Sequence, residues 1–151
     1  MKRWTATMRA PALLLLPLTF AACGDEAAPE DIAAGSYTLE SANGEPLPTI
    51  AVTWEDPSGT WEARILSGTL TLADGDYTAE FIVDLLVNGE PSLEATPFEY
   101  RGRYDVSGDR VTLHASDETD DDTVGTLEGD VLTVSQSIED YGTFSAVYRR
   151  E

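Results

Sequence analysis

The chain has 151 residues, 42% of them hydrophobic, and a formal net charge of −19 from 28 acidic residues against 9 Lys and Arg. This length and composition predict one domain with a packed core. The acidic balance argues against nucleic acid as a partner and against adhesion of the globular part to an anionic membrane, since both need a basic face. An acidic surface either prevents aggregation or binds cations or a basic partner, and charge alone does not separate these alternatives.

Residues 1–22 have the three parts of a secretory signal peptide. A basic start precedes an apolar stretch from Ala10 to Phe20, and two small residues follow. The apolar stretch is shorter than the roughly 20 residues that a membrane-spanning helix requires. We therefore predict that the chain is exported and cleaved between Ala22 and Cys23.

The single cysteine, Cys23, directly follows Phe20-Ala21-Ala22. This combination resembles the lipobox of bacterial lipoprotein precursors, with Phe20 in place of the commoner Leu. The resemblance implies a diacylglycerol thioether on Cys23, an acylated (palmitate-type) amine, and anchoring in the cell envelope, with the outer membrane favoured over the inner. The alternatives are a free thiol after an ordinary signal peptide or a buried core cysteine. Residues 23–34, rich in Pro, small and acidic residues, predict a flexible linker.

From Gly35 to Glu151 the pattern is typical of β-strands. In "FEYRGRYDV", apolar or small residues from Phe98 to Val106 alternate with charged ones, which indicates a half-buried antiparallel strand. No stretch there has a convincing helical repeat. The predicted strands lie near residues 35–41, 47–55, 60–72, 76–87, 97–106, 110–116, 123–128, 131–137 and 143–149.

The segments "ADGDY", "VSGDRV" and "LEGDVL" place Gly beside Asp between apolar runs and predict three hairpins. One predicted strand changes its apolar face near Ile65 and Leu66, which indicates a bulge. A closed sheet has no exposed edges. We therefore predict an all-β fold: a small antiparallel up-and-down β-barrel of about eight or nine strands, spanning residues 35–151.

Two short motifs support a family resemblance. "GSYTLES" places Tyr37 where lipocalins carry a Gly-x-Trp motif on the first strand, and the last strand ends in Arg149-Arg150. The region from Gly35 to Arg150 resembles the bacterial lipocalin-like domains. The resemblance implies an arginine that packs across Tyr37 in a cation–π contact.

Catalytic chemistry is sparse in the sequence. The single histidine, His114, has the parity opposite to Val111 and Leu113 and is predicted to face solvent. One His and one Cys do not build a nucleophilic triad or a zinc site, so we expect no enzyme activity and no cofactor. The acidic run "SDETDDDT" predicts a solvated loop; the alternative is a cation site with Asp117, Asp120 and Asp122 as ligands, although EF-hand spacing is lacking.

Eight aromatic side chains have inward parity and either fill the core or line a cavity: Tyr37, Tyr77, Phe81, Phe98, Tyr100, Tyr104, Phe144 and Tyr148. The sequence thus favours a membrane-anchored, monomeric lipoprotein that binds a lipid or another small apolar or amphipathic molecule. The alternative is an envelope protein with a structural or interaction role, a packed barrel and an acidic partner-binding surface.

Overall fold

The computed structural model describes residues 32–116, 122–138 and 141–151. Ten strands follow one another in this part of the chain: β1 (Gly35–Ala42), β2 (Glu45–Pro46), β3 (Thr49–Asp56), β4 (Gly59–Ala73), β5 (Asp76–Val87), β6 (Glu90–Ser107), β7 (Arg110–Ala115), β8 (Thr123–Glu128), β9 (Val131–Ile138) and β10 (Gly142–Arg150). Among these residues, no helix is long and apolar enough to cross a membrane.

Eight of the strands form a closed barrel. The neighbours run β1-β10-β9-β8-β7-β6-β5-β4, and β1 closes the circle by pairing with β4, from Gly35 opposite Leu72 to Thr38 opposite Thr69. Every pairing is antiparallel, and from β4 to β10 each strand pairs with the strand that follows it in the chain. The predicted small up-and-down, lipocalin-like β-barrel is therefore confirmed, with the short β2 and with β3 as additions beside β1 and β4.

Alternating side chains and tight turns produce this sheet. In β9, Leu132, Val134, Gln136 and Ile138 are buried while the three residues between them are exposed, as the period of two requires. At the predicted "ADGDY" turn, Asp74 and Gly75 have φ angles of 54° and 81°. Two positive φ angles in succession produce the hairpin twist that matches a right-twisted sheet, so this turn sets the register of β4 and β5.

The predicted bulge in β4 is present. Ile65 pairs with Val83 and Ser67 with Ile82, so one residue of β4 is extra at this point. Before the bulge, β4 pairs with β3; after it, β4 pairs with β1. The bulge therefore lets one strand contribute to two parts of the wall and turns the corner that closes the barrel.

Strand β6 begins seven residues earlier than predicted, at Glu90 instead of residue 97. Its register against β5 shifts twice, on either side of Leu85. Asp84 shares the outward parity of Thr78 and Glu80 in β5, yet it is only 7% exposed because Arg64 and the irregular start of β6 cover it. Its Oδ2 lies 2.6 Å from the Arg64 guanidinium, and its Oδ1 accepts from the Ala95 N–H at 2.8 Å.

The two described residues that come before Ala34 and β1 contact the end of the barrel. Ala33 is fully buried and its carbonyl accepts from the Tyr37 hydroxyl, while the Ile32 carbonyl accepts from the Arg150 guanidinium at 2.6 Å. The small Ala33 side chain fits against the end of the barrel. Among the described residues, the hydrophobic core runs from Ala33 to Tyr148.

Candidate functional site

The two ends of the barrel differ. At one end lie the β4–β5, β6–β7 and β8–β9 turns, and residues 32–34 pack there against Tyr37 and Arg150. The Arg150 guanidinium lies 5.2 Å from the centre of the Tyr37 ring and donates to its hydroxyl at 2.7 Å. The predicted arginine–aromatic contact is therefore present, and we call this the closed end. Arg149 instead faces outward and binds Glu40.

At the opposite end, which we call the mouth, the wall splits between β8 and β9. Their ladder runs from Glu128 opposite Val131 only as far as Gly125 opposite Val134. Beyond that point β8 and β9 no longer pair with each other: β8 pairs with β7, and β9 pairs with β10. A Cβ on Gly125 would lie 2.2 Å from Val134 Cγ1, so glycine permits the close crossing from which the two strands diverge.

A cavity of about 360 Å³ occupies the mouth and this split. Its inner wall is aromatic and aliphatic, and its edge carries hydroxyl groups. The lining residues are Tyr77, Phe81, Tyr100, Leu113, Ala115, Asp122, Thr123, Val124, Ser135, Gln136, Ser137 and Thr143. An apolar floor beneath a polar edge suits a molecule with one apolar and one polar end.

Edge-to-face contacts hold the aromatic floor in place. The Phe81 ring lies 6.2 Å from that of Tyr100 and 5.8 Å from that of Phe144, at interplanar angles of 67° and 78°. These are the favourable geometries for ring quadrupoles. Phe81 and Phe144 are buried, so core packing supports the floor from below.

Gln136 contributes a buried polar side chain to the cavity lining, and it is 7% exposed. Its Oε1 accepts a hydrogen bond of 2.7 Å from the Tyr148 hydroxyl. Burial raises the pKa of Tyr148 far above its usual value, so the phenol remains a neutral donor. Sequence reasoning missed Gln136; the available signal was a polar residue at inward parity, between Val134 and Ile138.

At the rim, the imidazole of His114 lies between two carboxylates. Its Nε2 is 2.8 Å from Asp105 Oδ2, and its Nδ1 is 2.9 Å from Asp122 Oδ1. The hydrogen bond to Asp122, followed by that to Asp105, raises the pKa of His114 above its usual value. The side chain is 37% exposed, in agreement with the predicted outer-face position. The contact between His114 and Asp122 holds Asp122, the residue before β8, against the outer wall.

The eight predicted aromatics separate into three groups. Three of them, Tyr77, Phe81 and Tyr100, line the mouth cavity. Tyr37, Tyr104, Phe144 and Tyr148 are buried in the core. Phe98 lines a second cavity of about 270 Å³ on the wall formed by β4, β5 and β6. Aromatic side chains thus fill much of the described core, and cavities remain at the mouth and on this wall.

A stack of three rings was also missed. Trp54 lies 5.8 Å from Trp61 and 4.4 Å from Tyr141, with interplanar angles of 13° and 25°. The two tryptophans are cross-strand neighbours in the β3–β4 hairpin. Partly buried against the core, the stack joins this hairpin to the start of β10 on the mouth side of the barrel.

Several predicted site residues lie outside the described residues: Ala22 and Cys23 at the processing site, and Asp117 and Asp120 of the acidic run. Asp122 is described and binds His114. Within the described ranges, no three His, Cys, Asp or Glu side chains converge on a point that could hold a metal ion. A comparison with known protein families and with curated protein sequences found no match.

Proposed function

We propose that this protein is a membrane-anchored bacterial lipoprotein whose barrel binds a small apolar or amphipathic molecule in the mouth cavity, without covalent chemistry. The observation that carries the proposal is the cavity of about 360 Å³. Ligand sites typically enclose about 300–1,000 Å³. The aromatic floor would bury the apolar body, while the hydroxyls of Ser135, Ser137 and Thr143 would remain beside the polar end.

The packed interior limits the ligand's size. Tyr104, Phe144 and Tyr148 are buried below the cavity, so a bound molecule would occupy the mouth and would not extend through the barrel. One water molecule takes up roughly 30 Å³ of liquid volume, so the cavity suits about a dozen non-hydrogen atoms. A compact aromatic or short-chain molecule fits these dimensions better than a lipid with two long chains.

The anchor is supported by the sequence around Cys23, and the barrel adds an orientation. Nine residues lead from Cys23 to Ile32 at the closed end. A fully extended chain covers about 3.3–3.6 Å per residue, so the anchor would lie within about 30 Å of that end. An upright barrel would thus present its mouth away from the membrane that holds it, toward molecules in the surrounding compartment.

Native mass spectrometry of the chain from Gly24 onward, purified without detergent, tests the ligand. We expect a retained small molecule, or a rise in melting temperature with small amphiphiles. Ala115→Trp places bulk in the cavity and should abolish the effect, whereas Thr53→Trp places it on the exposed face of β3 and should not. A clean unbound mass without thermal shifts would contradict binding and would favour the alternative, an envelope protein that meets a partner through its acidic surface.

Fractionation of cells that produce the full chain tests the anchor. Cys23→Ser should release the protein from membranes or block its maturation, while Ala27→Ser, a control of similar size in the linker, should leave it membrane-bound. If the Cys23→Ser variant is processed and held in the membrane like the parent, the lipoprotein assignment is wrong.

A further inference from the structure

The mouth cavity has a negatively charged side chain at its outer edge, which we call the rim. Among its described lining residues, Asp122 is the one with an ionisable carboxylate, and its side chain is 57% exposed. The whole chain bears a net charge of −19, and a strongly negative protein attracts cations toward its clefts. The potential at the mouth therefore favours a positively charged group.

The floor of the cavity has the complementary property. Tyr77, Phe81 and Tyr100 present aromatic rings below the rim. The face of such a ring is electron-rich and attracts ammonium and guanidinium groups within about 6 Å, most strongly where water is excluded. A cation near the floor would thus find favourable partners both in the rings and in the carboxylate above them.

The described arginines lie elsewhere on the barrel. Arg64 pairs with Asp84 on the outer wall, and Arg101 pairs with Glu99 there. Arg149 binds Glu40, and Arg150 seals the closed end. Arg103 and Arg110 are exposed on β6 and β7, and neither contributes to the described cavity lining. An anionic head group entering the mouth would therefore meet the carboxylate of Asp122 first.

We propose that the mouth cavity selects cationic amphiphiles, that is, amines or quaternary ammonium compounds with an aromatic or short alkyl body. The body lies on the floor formed by Phe81 and Tyr100, and the positive group lies between the ring faces and Asp122. This inference rests on the proposed function, because it specifies the ligand class of the same cavity.

His114 modulates the charge at the rim. Protonated, it compensates part of the charge on Asp122 and Asp105; neutral, it leaves both carboxylates uncompensated. Among the described residues, the cross-strand neighbour of His114 on β6 is Arg103, which adds a further positive charge beside the ring. Affinity for a cationic ligand should therefore rise as the pH increases through the pKa of His114, while affinity for a neutral ligand stays constant.

Three probes of nearly equal size test the selection: 4-phenylbutylamine, 4-phenylbutanol and 4-phenylbutanoate. Each is titrated by calorimetry into the chain from Gly24 onward, which includes every residue of the described core. We expect the amine to bind about tenfold more tightly than the carboxylate, with the alcohol between them, from one cation–π contact and one partly exposed ion pair.

Two variants with the same charge change locate the effect. Asp122→Asn should weaken amine binding about threefold to fivefold and leave the alcohol unchanged. Asp74→Asn makes the same charge change at the closed end, where Asn tolerates the positive φ angle, and should alter neither.

The outcomes separate the two proposals. Carboxylate binding equal to or tighter than amine binding would overturn the cation selection while leaving the binding module intact. Asp122→Asn and Asp74→Asn weakening amine binding equally would also overturn it. The net negative charge of the whole protein, and not the carboxylate at the rim, would then explain the preference for the amine. If none of the three probes binds, the proposed small-molecule function falls together with this inference.

Discussion

The Arg64–Asp84 pair on the outer wall yields the sharpest test of how β6 is held on the barrel. Asp84 is buried, accepts from the Ala95 N–H at 2.8 Å, and binds the Arg64 guanidinium at 2.6 Å. Ala95 has a φ angle of 46°, an uncommon conformation for a residue with a side chain. We expect Asp84→Ala to release this irregular segment.

The magnitude follows from the groups that lose a partner. A buried amide N–H left without an acceptor costs about 1–3 kcal/mol, and because Ala95 is exposed and its N–H can reach water, the lower value of about 1 kcal/mol applies. The Arg64 side chain is 39% exposed and regains water, so its lost ion pair adds at most about 1 kcal/mol. Asp84→Ala should thus lower the free energy of unfolding by about 2 kcal/mol. Asp84→Asn keeps an acceptor and should cost about 1 kcal/mol.

Urea denaturation followed by tryptophan fluorescence measures these changes. Glu99→Gln is the control, because it removes the exposed partner of Arg101 on the same wall and should produce no measurable loss. The Ala95 N–H and then Arg64 hold the pKa of Asp84 below its usual value of 3.8. Its contribution is therefore present above pH 3.8 and is lost as the pH falls through the folded-state pKa. Two results would refute this reasoning: a loss of unfolding free energy for Asp84→Ala equal to that of Glu99→Gln, or a loss for Asp84→Ala that is as large at pH 2 as at neutral pH.

Three further predictions concern the mouth and the wall around it. Gly102→Ala should cost at least about 1–3 kcal/mol in thermal unfolding, because a Cβ there would lie 1.9 Å from the His114 carbonyl oxygen; unchanged stability would contradict the close approach. His114→Gln should cost at most about 1 kcal/mol, and its difference from the parent should shrink between pH 5.5 and 9. This sign follows because the pKa of His114 is raised, so its stabilisation is present below pH 6.5 and lost as the pH rises through the folded-state pKa; a difference that grows with pH would refute it. Tyr148→Phe should cost about 1 kcal/mol, and a double-mutant cycle with Gln136→Leu should be non-additive because the two side chains share one hydrogen bond; additive costs would contradict that coupling.

Local alternation and turn chemistry determined much of this fold in advance. The period of two in "FEYRGRYDV" and the Gly-Asp turns predicted the hairpins, because each depends on neighbouring residues alone. The face change at Ile65 predicted the bulge for the same reason. Strand β6 was predicted too short because residues 90–96 are irregular and exposed, and only pairing with β5 makes them a strand.

The mouth cavity could be predicted only in part. Parity placed Tyr77, Phe81 and Tyr100 on the inner face but did not distinguish them from Tyr104 and Tyr148, which have the same parity and do not line the cavity. The two sets of side chains differ in their position along the barrel axis. That position depends on the strand register and on the point at which β8 and β9 diverge. Alternation specifies the face of a sheet and carries no information about depth.

The sequence by itself determined the strand order along the chain, the inner and outer faces, and the acidic charge, since all three depend on residue type and spacing. It also supplied the signal-like start and the cysteine from which the membrane anchor is proposed. Only the tertiary structure decided that β1 closes on β4, that Arg150 seals the end opposite the cavity, and that Asp122 lines the same cavity as three aromatic rings. Each of these joins residues distant in sequence, and no local pattern encodes the register that brings them together.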